Sequence, residues 1–102
     1  MGRERSVVFT GRAREDLLDI WDHIRAHRSE ALADDVVTRI VRTCDILEEH
    51  PAIGRSRPDI DPEARMLIAE RWLVLYRIVG GGAEVVRVVD GVRDMSRIRF
   101  RR

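Results

Sequence analysis

The strongest constraint on this chain is a change of hydrophobic period part-way along it. From Ala13 to Leu47 the apolar side chains recur every three or four residues, whereas beyond Pro62 they come in dense runs of β-branched and aromatic residues. The first pattern places one stripe on an α-helix; the second suits the pleated, packed surface of a strand. Helices therefore precede the bulk of a sheet, which is the order of an α+β domain and not of an alternating parallel one.

Ser6–Thr10 contains two valines and reads as a short opening strand, with Gly11 at the turn. Ala13, Leu17, Ile20, Trp21 and Ile24 then form the stripe of a first helix. Thr10 is its N-cap, and Glu15 and Asp16 stand near the positive end of its dipole. The pattern restarts at Arg28-Ser29, where Ser29 caps a second stripe of Val36, Val37, Ile40, Val41, Cys44 and Leu47. Pro51 stops that helix, and residues 51–58 make an ordered connector. The short link makes the two helices an antiparallel hairpin. Arg65–Ala69, Trp72–Val79 and Glu84–Val89 follow as three strands. Trp72–Val79 is apolar on both parities, so it belongs at the centre of the sheet with both faces covered. The expected architecture is β-α-α-β-β-β, a helical hairpin packed on an antiparallel sheet. Val92, Met95 and Ile98 or Arg99 have the spacing of a last short helix, and a strand or a tail fits the same residues.

A chain of 102 residues, 44% of them hydrophobic, has the size and apolar content of one domain spanning residues 1–102. Its longest apolar run, Trp72–Tyr76, is far below the roughly 20 residues of a membrane-crossing helix, and Met1–Ser6 lacks the apolar stretch of a signal peptide. A cytoplasmic location follows as the expectation. Cys44, the only cysteine, rules out an intramolecular disulfide and fits a reducing compartment.

Net charge is only +1, but it is unevenly placed: residues 13–50 carry ten acids against five arginines, and residues 71–102 carry eight arginines against three acids. All 19 basic residues are arginine, whose planar fork suits carboxylate and phosphate. His23 and His27 lie four apart on one helical face, yet Ile24 stands where a zinc-protease helix needs glutamate, so they read as structural or surface residues with no metal or other cofactor expected. Cys44 falls on an apolar stripe and reads as an inert core thiol. Gly80-Gly81-Gly82 reads as a hairpin turn. A three-residue loop there puts Leu73, Leu75, Arg77 and Val79 on one face with Ala83, Val85, Arg87 and Val89; a two-residue loop sends Arg77 and Arg87 to opposite faces. In either case a buried guanidinium needs a partner, either an internal carboxylate such as Glu70 or Asp90 or a group on another molecule. The end of the chain, residues 93–102, holds five arginines against Asp94 and suits an anionic partner, nucleic acid or an acidic protein surface.

Taken in order, Val8-Phe9-Thr10, Ala13, Asp16-Leu17, Ile20-Trp21-Asp22-His23-Ile24, His50-Pro51-Ala52-Ile53-Gly54-Arg55, Trp72–Arg77, Val88 and Gly91-Val92-Arg93-Asp94 resemble the ParE branch of the RelE/ParE toxin superfamily, over roughly residues 7–98. The resemblance implies the toxin of a type II toxin–antitoxin module, cytoplasmic and held inactive by a cognate antitoxin. It implies one of two activities. RelE-like members cleave messenger RNA on the ribosome, which requires a group to activate the 2′-hydroxyl and another to protonate the leaving oxygen. ParE-like members bind and poison DNA gyrase without hydrolysing anything. Residues 91–102 contain no His, Tyr, Lys or Glu, and this favours the gyrase class, with no catalytic residues; the RNA endonuclease and a non-toxic antitoxin-binding module are the alternatives. On this reading Trp21, Ile24, Trp72 and Tyr76 are apolar contacts for the antitoxin, and Arg71, Arg77 and Arg87 take its carboxylates. The aromatic residues serve equally as core. Arg93, Arg97 and Arg99 are assigned to the target.

Overall fold

The computed structural model describes residues 6–91 and Phe100. The elements, in order, are strand β1 (Val7–Phe9), helices α1 (Gly11–His27) and α2 (Glu30–Cys44), a 3-10 turn (Asp45–Glu48), and strands β2 (Arg55–Ser56), β3 (Arg65–Ala69), β4 (Trp72–Val79) and β5 (Gly82–Asp90). The sheet order is β1-β5-β4-β3-β2. The fold is the expected helical hairpin on a sheet, with two differences. β1 runs parallel to β5, so the sheet is mixed, and the connector contributes a fifth strand of two residues paired with β3. A two-residue strand inside a proline- and glycine-rich stretch has no periodicity to detect, and strand direction is set by how the helices return the chain across the sheet.

Both helix starts follow from their caps. Thr10 Oγ1 accepts from the Ala13 N–H (3.1 Å) and donates to the Val86 carbonyl (3.2 Å), so one hydroxyl starts α1 and ties it to the sheet. Ser29 Oγ accepts from the Leu32 N–H at 3.0 Å. The first turn of α1 holds no acidic residue. Glu15 and Asp16 come one turn too late to serve its dipole, and Asp16 is buried for another purpose, described below.

The glycine turn settles the register question in an unforeseen way. Val79 pairs with Gly82 and Arg77 with Glu84, which leaves two residues in the loop, Gly80 at φ 57° and Gly81. A bulge between Leu75 and Tyr76 then shifts the ladder by one, so that Leu75 pairs with Arg87. The loop-side half has the register of a two-residue turn, and the other half the register that a three-residue turn would have produced. Ala83 and Val85 consequently join Val74 and Tyr76 under the helices instead of sharing a face with Leu75. Gly82 belongs to the strand because a Cβ there would meet the Ser6 backbone oxygen at 1.9 Å; the close approach of β1 requires glycine.

The main core joins Ile20 of α1, Val36, Ile40 and Cys44 of α2, and Val74, Tyr76 and Val85 of the sheet. A smaller cluster on the opposite face comprises Ala64, Leu75, Val86 and Phe100. β4 is therefore central and covered on both sides at Val74, Leu75 and Tyr76, while Ile78 and Val79 at its hairpin end are exposed. Tyr76 is fully buried; its hydroxyl donates to the Pro51 carbonyl (2.6 Å) and accepts from the Gly54 N–H (2.8 Å), pinning the connector. Burial raises its pKa, which keeps that donor protonated. It is a core residue, so the expectation that it contacts a partner is corrected. Tyr76→Phe orphans both groups and should lower unfolding stability by about 1–3 kcal/mol in a urea titration. Cys44 is fully buried and its thiol is pushed up to about 12, chiefly by desolvation and secondarily by Asp45. Ellman's reagent at mildly alkaline pH should label it at the rate of unfolding; rapid labelling of folded protein would contradict that placement.

Candidate functional site

β1 pairs with only the first part of β5, through Ala83, Glu84 and Val85. The rest of that edge has backbone groups that must be satisfied some other way. Thr10 takes the next position, its N–H donating to the Val85 carbonyl at 3.0 Å. Nearly two turns on, Asp16 does what a strand would do: its Oδ2 accepts from the Val88 N–H at 2.9 Å. The same carboxylate takes the Arg87 guanidinium in a two-pronged ion pair, Nε to Oδ2 at 2.8 Å and Nη2 to Oδ1 at 3.2 Å. Both side chains are nearly sequestered, 8% and 13% exposed.

Where α1 crosses this edge a groove of about 740 Å³ opens between the helix, the end of β5 and the turn joining β3 to β4. Ile20, Ile24, Leu32, Val36 and Trp72 form its apolar lining. Its charged groups balance: Arg12, Arg28, Arg71 and Arg87 against Asp16, Asp19, Glu70 and Asp90. Arg71 pairs with Asp90 and lies 5.1 Å from the centre of the Trp72 ring, holding the indole at the mouth. Glu70 adopts φ 60°, a left-handed backbone that costs a non-glycine residue about 1–2 kcal/mol, and is clamped by Arg39 with Nε to Oε2 at 2.7 Å. The hydrogen bond to Glu70 and the charge of Asp35 raise the Arg39 pKa.

Of the residues singled out from sequence, the structure brings Ile24, Arg71, Trp72 and Arg87 together in this groove. Trp21 lies outside its lining, half-buried, with Nε1 donating to Asp34 Oδ1 at 2.7 Å and Arg25 over its ring. Arg77 is engaged elsewhere by Glu84 (2.9 Å) and Glu63 (3.1 Å), whose hydrogen bonds raise its pKa. Arg77 and Arg87 are thus paired with internal carboxylates, Glu84 and Asp16, where Glu70 or Asp90 was expected. Arg93, Arg97 and Arg99, and the last helix expected near them, lie outside the described residues. Asp16 was missed, although its position signalled it: three residues after Ala13 and four before Ile20, it is a carboxylate on the apolar stripe. His23 and His27, read from the sequence as structural or surface residues, line the same groove as Arg12, Arg28, Arg71 and Arg87. Among the described residues, no group of three or more His, Cys, Asp or Glu side chains is placed to hold a metal ion, and no helix is long and apolar enough to cross a membrane.

Comparison with known proteins adds three findings. The family model described as "ParE toxin of type II toxin-antitoxin system, parDE" matches residues 7–95. Toxin ParE3 of Caulobacter vibrioides is 30% identical over 96 residues, covering 94% of this chain and 93% of that protein, and Toxin ParE1 of the same organism is 30% identical over 78 residues, covering 76% and 80%. Among solved structures, a chain of the chromosomal ParDE TA system from P. aeruginosa superposes with a TM-score of 0.75 at 26% identity, covering 85% of this chain and 96% of that one.

The ion pair at the bottom of the groove can be tested by its asymmetry. Asp16→Ala leaves a sequestered guanidinium and the Val88 N–H without their acceptor, and should cost about 3–5 kcal/mol in chemical denaturation. Adding Arg87→Met should recover about 1 kcal/mol or more of that loss, because the orphaned charge is then gone.

Proposed function

We propose, for a chain that belongs to the ParE toxin family of type II toxin–antitoxin systems, that it acts by docking: as a toxin that inhibits DNA gyrase in the cytoplasm by protein binding, neutralised when a cognate antitoxin fills the groove between α1 and the sheet. The observation that carries the reading is the groove's charge balance. Four arginines face four carboxylates, and Arg71, Arg87 and Arg12 have carboxylates of this chain within 4 Å. A phosphodiester entering there would meet as many anions as cations, and three of the four cations are already engaged. An amphipathic peptide fits better. Its apolar side chains would cover Ile20, Ile24 and Trp72, and an acidic group would pair with Arg28, which among the described residues has no carboxylate within 4 Å.

The two histidines in the groove supply a specific reason to test the alternative, RNA cleavage on the ribosome, since imidazoles beside arginines are general acid–base groups beside phosphate ligands. Purified protein should inhibit gyrase supercoiling and leave translated messenger RNA intact. RNA cleavage with supercoiling unaffected would reverse the assignment. For the antitoxin, Ile24→Glu should weaken binding by about 2–4 kcal/mol and Arg28→Glu by about 1 kcal/mol in calorimetry, whereas Trp21→Ala, outside the groove, should change it by less than ~0.5 kcal/mol. The target surface is assigned to Arg93, Arg97 and Arg99. Replacing Arg93 and Arg97 by Glu should relieve growth arrest without loss of antitoxin binding.

A further inference from the structure

We infer that His23 and His27 form a two-imidazole site for a divalent first-row transition ion at the solvent-facing rim of the groove. This revises the reading of these residues as merely structural. Three observations converge on it. Both side chains are exposed one helical turn apart on α1, so neither is held by the core and both can reach one ion. Their ring centroids are 4.3 Å apart with planes inclined by 31°. Two imidazoles on one ion with metal–nitrogen bonds of about 2.0–2.1 Å place their centroids about 4.5 Å apart at cis positions of a square or octahedral site, and about 5 Å apart at a tetrahedral angle. The observed separation of 4.3 Å is therefore compatible with both rings serving one ion.

The third observation concerns the proton. His27 Nδ1 lies 2.9 Å from the backbone carbonyl oxygen of His23. A carbonyl can only accept, so Nδ1 carries the hydrogen and Nε2 presents a lone pair. That is the outer-shell arrangement by which a ligating histidine is held in one tautomer and orientation. Water completes the coordination, since among the described residues no third His, Cys, Asp or Glu side chain is placed to join the two imidazoles. Two imidazoles in cis geometry select Cu2+ and Ni2+ ahead of Zn2+, in keeping with the general order of affinities.

The test uses the tag-free full chain with copper, nickel and zinc salts in calorimetry. One ion should bind per chain, in the order Cu2+ above Ni2+ above Zn2+ where geometry is retained, and the copper complex should show hyperfine coupling to two imidazole nitrogens. His23→Ala and His27→Ala should each weaken binding at least about tenfold. His50→Ala, which alters the remaining histidine, should leave it unchanged. Since all three side chains are exposed, circular dichroism of the variants should match the parent. A nitrogen-15 spectrum of the free protein should show His27 protonated at Nδ1. Binding that survives the His23→Ala/His27→Ala double variant, binding that follows His50, or no binding of any of the three ions at ~1 mM would overturn the proposal.

Discussion

The structure turns on one carboxylate that completes an unfinished β-ladder. β1 is three residues long and β5 is nine, so most of the β5 edge has no strand beside it. Exposed edge groups invite pairing with another chain, and buried ones are costly without partners. Asp16 resolves both by accepting from Val88 and neutralising Arg87 at once, so the first helix is fastened to the sheet where β1 gives out. The groove exists because that fastening is local. Helix and edge are in contact at Thr10 and Asp16 and diverge beyond them, leaving Ile20, Ile24 and Trp72 along the gap.

The uneven charge along the chain has a structural meaning that the total conceals. The acid-rich helices are laid against the sheet, and two ion pairs cross between the layers: Asp16 of α1 with Arg87 of β5 and, with the charges reversed, Arg39 of α2 with Glu70 of the β3–β4 turn. The second pair also holds Glu70 in a backbone conformation it would not choose alone. Within the groove Arg12, Arg71 and Arg87 are each paired with a carboxylate, which lowers the positive field a polyanion would meet.

Local patterns carried much of the fold. Thr10 and Ser29 are caps as their spacing implied, the two apolar stripes face the sheet, and Cys44 lies inside. What failed were inferences that needed a second segment to decide them. Gly82 looks like part of a turn until the backbone of Ser6 is brought against it. Tyr76 reads as either core or a partner contact until Pro51 and Gly54 claim its hydroxyl. The site was legible in the same proportion: Ile24, Arg71, Trp72 and Arg87 were identified as residues needing partners, but nothing local said that they share a groove while Trp21 and Arg77 do not.

The sequence by itself determined the two helices and four of the five strands, where the helices begin, the order of layers and the family likeness, because these rest on periodicity, capping and the order of residues along the chain. Only the tertiary structure decided the parallel pairing of β1, the bulge that carries two registers on one hairpin, the partner of each arginine and the placing of two histidines beside them. Those outcomes depend on residues as many as 76 positions apart, such as Val7 and Ala83, whose proximity is created by chain closure and is not encoded in either neighbourhood.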